Sequence, residues 1–107
     1  MRDIREAIGK KKELTFASAS NAGYIDFPAI MQYVDFVNVM AYDMGSAPKH
    51  NSALYRSNSE GKTSPVVGWV TSDEAVQAHL KAGVPADKLV LGMPFYGREL
   101  RRFCRLP

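Results

Sequence analysis

Cysteine occurs once, as Cys104, so the chain forms no internal disulfide and cannot build a metal site from paired thiolates. Long apolar runs are missing too. No stretch approaches the ~18 uncharged residues of a membrane-spanning helix, and Met1-Arg2-Asp3-Ile4-Arg5-Glu6 lacks the apolar centre of a secretory leader. Nothing in these residues targets or anchors the chain, and the compartment stays open. Charge of one sign is scarce as well, with a net charge of only +3. The basic residues Lys10-Lys11-Lys12 and Arg98, Arg101, Arg102 and Arg105 form two clusters, neither lying in a recognisable nucleic-acid module. Neither a nucleic acid nor a membrane is therefore an expected partner, and Lys10 to Lys12 read as solvated cations suited to the C-terminal end of a helix. What the chain does have is apolar mass. With 46% hydrophobic and 23% charged residues, it has the composition of one small globular domain.

That apolar mass is distributed in alternating patterns. Ile4, Ala7 and Ile8 fall at i, i+3 and i+4 and predict a first helix, with Gly9 as its stop. Residues 14–20 predict a strand that turns small and hydroxylated toward its end. Asp26 predicts an N-cap for a short helix over 27–33, with Pro28 tolerated in the first turn. A buried strand runs next, from Asp35 to Asp43. Residues 45–71 are long for a connection, contain Pro48, Gly61, Pro65 and Gly68, and predict a functional or mobile loop. Thr71 and Glu74 have the spacing of a capping box, and the helix they open ends at Gly83, with Pro85 forbidding continuation. His79 lies inside that helix with no Cys or His at ligand spacing, so it reads as a surface or packing residue. A last strand runs through 88–98.

Helix and strand in alternation imply a parallel sheet with helices packed outside it. Parity then sorts the strand residues. Asn38, Met40 and Tyr42 share one face, and Val37, Val39 and Ala41 the other. In the last strand Leu89, Leu91, Met93 and Phe95 share one face, expected to meet helices, while Gly92, Pro94, Tyr96 and Arg98 share the other. The faces carrying Tyr42, Tyr96 and Arg98 are expected to converge, because functional groups of α/β folds gather at strand C-terminal ends.

The run Tyr33-Val34-Asp35-Phe36-Val37-Asn38-Val39-Met40-Ala41-Tyr42-Asp43 resembles the sixth barrel strand of family 18 glycoside hydrolases, the chitinase-like (β/α)8 barrels. Lys88-Leu89-Val90-Leu91-Gly92-Met93-Pro94-Phe95-Tyr96-Gly97-Arg98 resembles the seventh. Between them, His50-Asn51-Ser52-Ala53-Leu54-Tyr55 is similar to the loop after strand six, and residues 14–20 would be strand five. The resemblance covers residues 1–98. It implies an α/β fold: part of a TIM (β/α)8 barrel, with three parallel strands alternating with helices. Residues 1–107 are then a single partial catalytic domain, of which 99–107 form a divergent tail.

The activity implied by the resemblance is cleavage of β-1,4 bonds beside N-acetylglucosamine with retention of configuration. In this substrate-assisted route the sugar's own acetamido oxygen attacks the anomeric carbon. Tyr42 and Asp43 are the catalytic candidates: the Tyr42 phenol holds the acetamido carbonyl and Asp43 supports it. Met40 would line the floor of the −1 subsite, and Tyr96 and Arg98 would contact sugar from the neighbouring strand end. No cofactor or metal is called for. The partner is an N-acetylglucosamine-containing polysaccharide, and family members of this kind are secreted or periplasmic.

Two departures limit the expectation. The family's general acid ends an Asp-x-x-Asp-x-Asp-x-Glu motif on strand four, and no such spacing occurs among the 6 Asp and 5 Glu. Strands one to four and eight have no counterpart in these residues either. The chain is thus expected to be inactive alone, and an open parallel edge invites self-association. An alternative reading is a non-catalytic, lectin-like member of the same barrel family; an unrelated α/β interaction module is a third. Plainer roles also stand for single residues: Met40 as core, Tyr42-Asp43 as a strand-end turn, Arg98 as a partner of Glu99 or another surface acid, and Trp69 as packing against the capped helix. Which glycan is native stays open.

Overall fold

The computed structural model describes residues 1–45, 49–56, 58–59, 62–63 and 69–99. In chain order these form α1 (Arg2–Ile8), β1 (Thr15–Ser18), α2 (Phe27–Ile30), β2 (Phe36–Val39), β3 (Asn58–Ser59), β4 (Lys62–Thr63), α3 (Ser72–Lys81), a 3-10 turn (Ala86–Lys88) and β5 (Leu89–Leu91). Three of the strands make one parallel sheet in the order β1-β2-β5, with Phe16 beside Val37, and Val39 beside both Ser18 and Leu91. The fold is therefore the expected α/β arrangement of parallel strands and connecting helices.

β2 lies in the middle and carries the core. Its alternation is strict, with Val37 and Val39 fully buried and Ala41 beyond them fully buried as well. Val37 packs with Phe27, Met31, Val34 and Val84 around Leu14 and Phe16. Val39, Ala41, Met44 and Ala75 form a second cluster nearer the strand's C-terminal end. Each buried Val, Met or Phe among them contributes on the order of 1.5–3 kcal/mol relative to exposure.

The helices are set by their ends. Thr71 and Glu74 close the capping box: the Thr71 hydroxyl accepts the Glu74 N–H at 3.2 Å, and the Glu74 carboxylate accepts the Thr71 N–H at 3.0 Å. After α3 the chain turns at Gly83, whose φ of 106° belongs to glycine and whose missing Cβ would lie 3.0 Å from Pro28 Cγ. α2 is capped by Asp26 as expected, but it stops at Ile30 rather than 33, because the Tyr33 N–H bonds back three residues to Ile30 and tightens the turn into β2. α1 buries none of its residues. Arg5 attaches it, donating to the carbonyls of Tyr33, Gly9 and Lys12 and to the Asp35 carboxylate, all between 2.8 and 3.0 Å.

Three strand expectations were too long or wrongly covered. The 14–20 strand pairs only over Thr15–Ser18 and the 35–43 strand only over Phe36–Val39. The 88–98 strand pairs only over Leu89–Leu91; its last ladder contact is Gly92 N–H to Val39 O at 2.8 Å, and Pro94 has no N–H to continue it. On the face expected to meet helices, Leu89 does pack against both core clusters, but Leu91, Met93 and Phe95 are 40%, 70% and 98% exposed. Trp69 likewise keeps its ring 64% exposed and uses its main chain instead, donating to Met44 O and accepting from Arg56.

Within the 45–71 connection, β3 and β4 pair antiparallel. Pro48, Gly61, Pro65 and Gly68 lie outside the described residues, as do Cys104 and the basic tail residues Arg101, Arg102 and Arg105.

Candidate functional site

Parallel neighbours end on the same side of a sheet, so the segments leaving β2 and β5 must meet there. Met40 continues the β1 pairing by donating its N–H to Ser18 O at 2.8 Å. The chain then bends, with Ala41 N–H reaching back to Val39 O, and Asp43 takes a left-handed backbone at φ 58°. Aspartate is one of the few non-glycine residues that tolerate that region. From the other strand Gly92 presses its backbone onto β2: a Cβ there would sit 2.7 Å from Val39 O and 3.2 Å from Tyr42 Cε1. This close approach lets the Tyr42 and Tyr96 rings meet edge to face, with centroids 6.2 Å apart.

Asp43 is where the two strand ends join. Its Oδ1 accepts from the Tyr96 hydroxyl at 2.6 Å and from Arg98 Nη2 at 2.5 Å. The Arg98–Asp43 pair is about half exposed, so its net contribution to stability is small. What it fixes is geometry: a phenol and a guanidinium on one carboxylate oxygen. Arg98 thus finds its acid across the site, on Asp43. Of the five residues singled out in the sequence, Tyr42, Asp43, Tyr96 and Arg98 converge, and Met40 stands partly buried at the start of the same turn.

These contacts set the charges. The hydrogen bonds from Arg98 and Tyr96 hold the Asp43 carboxyl below the ordinary carboxylate value, and the same bond from Tyr96 to Asp43 pushes that phenol above the ordinary tyrosine value. The lowered carboxyl contributes stability that is present above about pH 4 and lost as the pH falls through the lower folded value. The raised phenol contributes stability present below about pH 10 and lost as the pH rises through the higher folded value. The cluster is expected to stay closed between those limits and to open outside them. Near-ultraviolet circular dichroism of the two tyrosines across pH checks this; a signal that changes inside the window would contradict it.

The loop after β2 supports this turn through residues to which the sequence assigned no role. Asn51 Oδ1 accepts the Asp43 N–H at 3.0 Å and Arg98 Nε at 3.4 Å, while its carbonyl accepts the Met44 N–H at 2.9 Å. Ser52 donates its hydroxyl to Ala41 O at 2.5 Å. Arg56 forms a two-armed pair with Glu74, so the capped helix end and the loop are held together. For Asn51 and Ser52 the only signal in the sequence was membership of the run from His50 to Tyr55, which gave them a place and no function; Arg56, just after it, had no signal.

A second polar group lies buried below, at the end of β1. His79 is fully buried; its Nδ1 stands 2.7 Å from Ala75 O and its Nε2 2.7 Å from Ser18 Oγ. A carbonyl only accepts, so Nδ1 carries a proton, and Nε2 and the Ser18 hydroxyl share the second bond. Ser18 in turn lies 3.0 Å from the Tyr24 hydroxyl, which accepts the Ala19 N–H. Of the two roles considered for His79, packing is the one it has, edge to face with Phe27 at 5.3 Å. Two cavities of about 360 and 320 Å³ open elsewhere, around Tyr33 and Gln32 at the end where β2 begins.

Against known proteins, residues 1–102 match the family described as Glycosyl hydrolases family 18. Chitinase A1 of Niallia circulans is 41% identical over 98 residues, covering 84% of this chain and 14% of that protein. Chitotriosidase-1 of Mus musculus is 40% identical over 103 residues, covering 88% of this chain and 22% of that protein. The crystal structure of the chitinase domain of the spore coat protein CotE from Clostridium difficile superposes with a TM-score of 0.72 at 34% identity, over 91% of this chain and 29% of that one. The chain therefore spans less than a third of the length of each of these relatives.

Proposed function

The chain belongs to the family 18 glycosyl hydrolases, and from that membership we propose that it forms the glycan-contacting part of a chitinase-like barrel, corresponding to strands five to seven. The observation that carries the reading is the joining of Tyr42 and Asp43 from one strand end to Tyr96 and Arg98 from the next, on the C-terminal side of a parallel sheet. In α/β barrels that side hosts the chemistry.

In this reading the ligand is a β-1,4-linked N-acetylglucosamine glycan. The Tyr42 phenol donates to the acetamido carbonyl and holds it for attack on the anomeric carbon, which suits a substrate-assisted, retaining route. Met40 lies under the sugar, and Tyr96 and Arg98 fix Asp43 while offering polar edges to hydroxyl groups. Asp43 is an unsuitable proton donor: two hydrogen bonds keep its carboxyl ionised well below neutral pH. The leaving-group proton must therefore come from another residue, and no second carboxylate bonds to this cluster among the described residues. Pairing of two copies through the edge of β5 that meets no strand among the described residues, beside exposed Met93 and Phe95, belongs to the same proposal.

The test uses the 107-residue chain with N-acetylglucosamine oligomers. Binding by NMR titration is expected, weakened at least several-fold in Tyr42→Phe, together with no turnover of a chromogenic oligomer. In a complete barrel the same substitution is expected to slow turnover by roughly two orders of magnitude, the usual cost of losing one preorganised donor. Turnover by the chain alone would overturn the assignment of the acid to another residue. Unchanged binding in Tyr42→Phe would overturn the role of the phenol.

A further inference from the structure

Asn51 touches both Asp43 and Arg98 of the cluster, yet it comes from neither strand. One side-chain oxygen serves two donors, the Asp43 N–H and Arg98 Nε, and the main-chain carbonyl of the same residue takes the Met44 N–H. Asp43 is held from both sides: Asn51 grips its backbone in the left-handed region, and Arg98 and Tyr96 grip its carboxylate. The other side-chain atom, Nδ2, is buried and makes no hydrogen bond to the protein. Burying a donor unpaired costs on the order of 1–3 kcal/mol, so a residue serving only to close a loop would be better replaced by one without it.

We propose that Asn51 is the positioning residue of this site, an amide clamp that sets the distance between Asp43 and Arg98 and thereby the direction in which the Tyr96 hydroxyl points. The clamp works because an amide oxygen carries two lone pairs and no charge, so it can bridge a backbone N–H and a guanidinium without competing with Asp43 for the guanidinium's charge. Aspartate in its place would keep the acceptor and add a rival carboxylate; alanine would remove both contacts. The proposal deepens the glycan reading and takes its functional meaning from it, but its structural content stands without a ligand.

The experiment therefore needs no glycan for its first arm. The carboxyl titration of Asp43 and the phenol titration of Tyr96 are followed by NMR in the full chain and in Asn51→Ala, Asn51→Asp and Ser52→Ala. In Asn51→Ala the two groups are expected to move together toward their ordinary values of about 4 and about 10. Asn51→Asp is expected to retain the Asp43 amide shift while raising the Asp43 carboxyl, since a second carboxylate then shares Arg98. Ser52→Ala loosens the same loop at Ala41 O without touching the cluster, and is expected to lower thermal stability while leaving both titrations in place. If Asn51→Ala lowers stability but moves neither titration, or if Ser52→Ala moves them equally, Asn51 is only a loop residue and the proposal fails. In the second arm, N-acetylglucosamine oligomer binding is measured on the same variants. Coupled titrations in a chain that binds no oligomer would leave the clamp standing and remove the glycan reading.

Discussion

Gly92→Ala is expected to lower the thermal midpoint by roughly 10–20 °C, an effect large for a single methyl group on a half-exposed strand end. The new Cβ would meet Val39 O at 2.7 Å, a backbone atom that cannot swing away, and Tyr42 Cε1 at 3.2 Å. Relief requires β5 to move off β2, which breaks the Gly92 N–H to Val39 O bond and separates Tyr96 and Arg98 from Asp43. Overpacking of this kind costs about 1–3 kcal/mol, and each kcal/mol shifts the midpoint of a domain this size by roughly 4–8 °C. Gly97→Ala is the control, since a Cβ there meets nothing within 4 Å and should leave the midpoint unchanged. Differential scanning calorimetry decides the matter: equal midpoints for the two variants would mean that the strands do not approach as described.

His79→Ala is expected to be more destructive, removing roughly 3–5 kcal/mol by opening a cavity beside Phe27 and breaking the buried hydrogen bond to Ser18. A domain of ordinary stability has only about 5–15 kcal/mol in total, so much of the fold's margin goes with it. His79→Phe separates the two causes, because it fills the space while removing the Ser18 bond, which leaves the hydroxyl Ala19 O at 3.4 Å and Tyr24. Ser18→Ala is made alone and together with His79→Phe, and the double variant should recover on the order of 1 kcal/mol. Chemical denaturation of the parent, the two single variants and the double measures this cycle. No recovery in the double variant would show that the ring's packing alone matters and that the hydroxyl chain from Tyr24 is incidental.

The sequence revealed most where structure is local. Thr71 and Glu74 stand three apart, and their box closes as the spacing predicts; Asp26 caps α2 for the same reason. Alternation in β2 sorted Val37 and Val39 from Met40 and Tyr42, and the structure buries the first pair fully. Strand length was less legible, because apolar character runs past the point where a partner's hydrogen bonds stop. Residues 93–98 look like a continued strand, yet Pro94 cannot donate and no described strand pairs with them. Contacts between distant residues were invisible: Ser18 and His79 are 61 positions apart, and Asn51 reads as an ordinary polar loop residue until its oxygen is seen between Asp43 and Arg98. Exposure of Met93 and Phe95 was misread for a related reason, since periodicity says which side an apolar residue faces and not whether anything lies there to cover it.

The left-handed backbone at Asp43 has a consequence for the alphabet available at that position. Glycine, asparagine and aspartate accept a φ near 58° at small cost, whereas a longer or branched side chain strains there. The second demand is a negative charge on a short stem, reaching both Tyr96 and Arg98. Asparagine and glycine meet the first condition only, and glutamate only the second. Among the twenty residues, aspartate alone satisfies both, so position 43 has no conservative replacement, and even the removal of one charge at constant shape takes away half of what the turn was built to present.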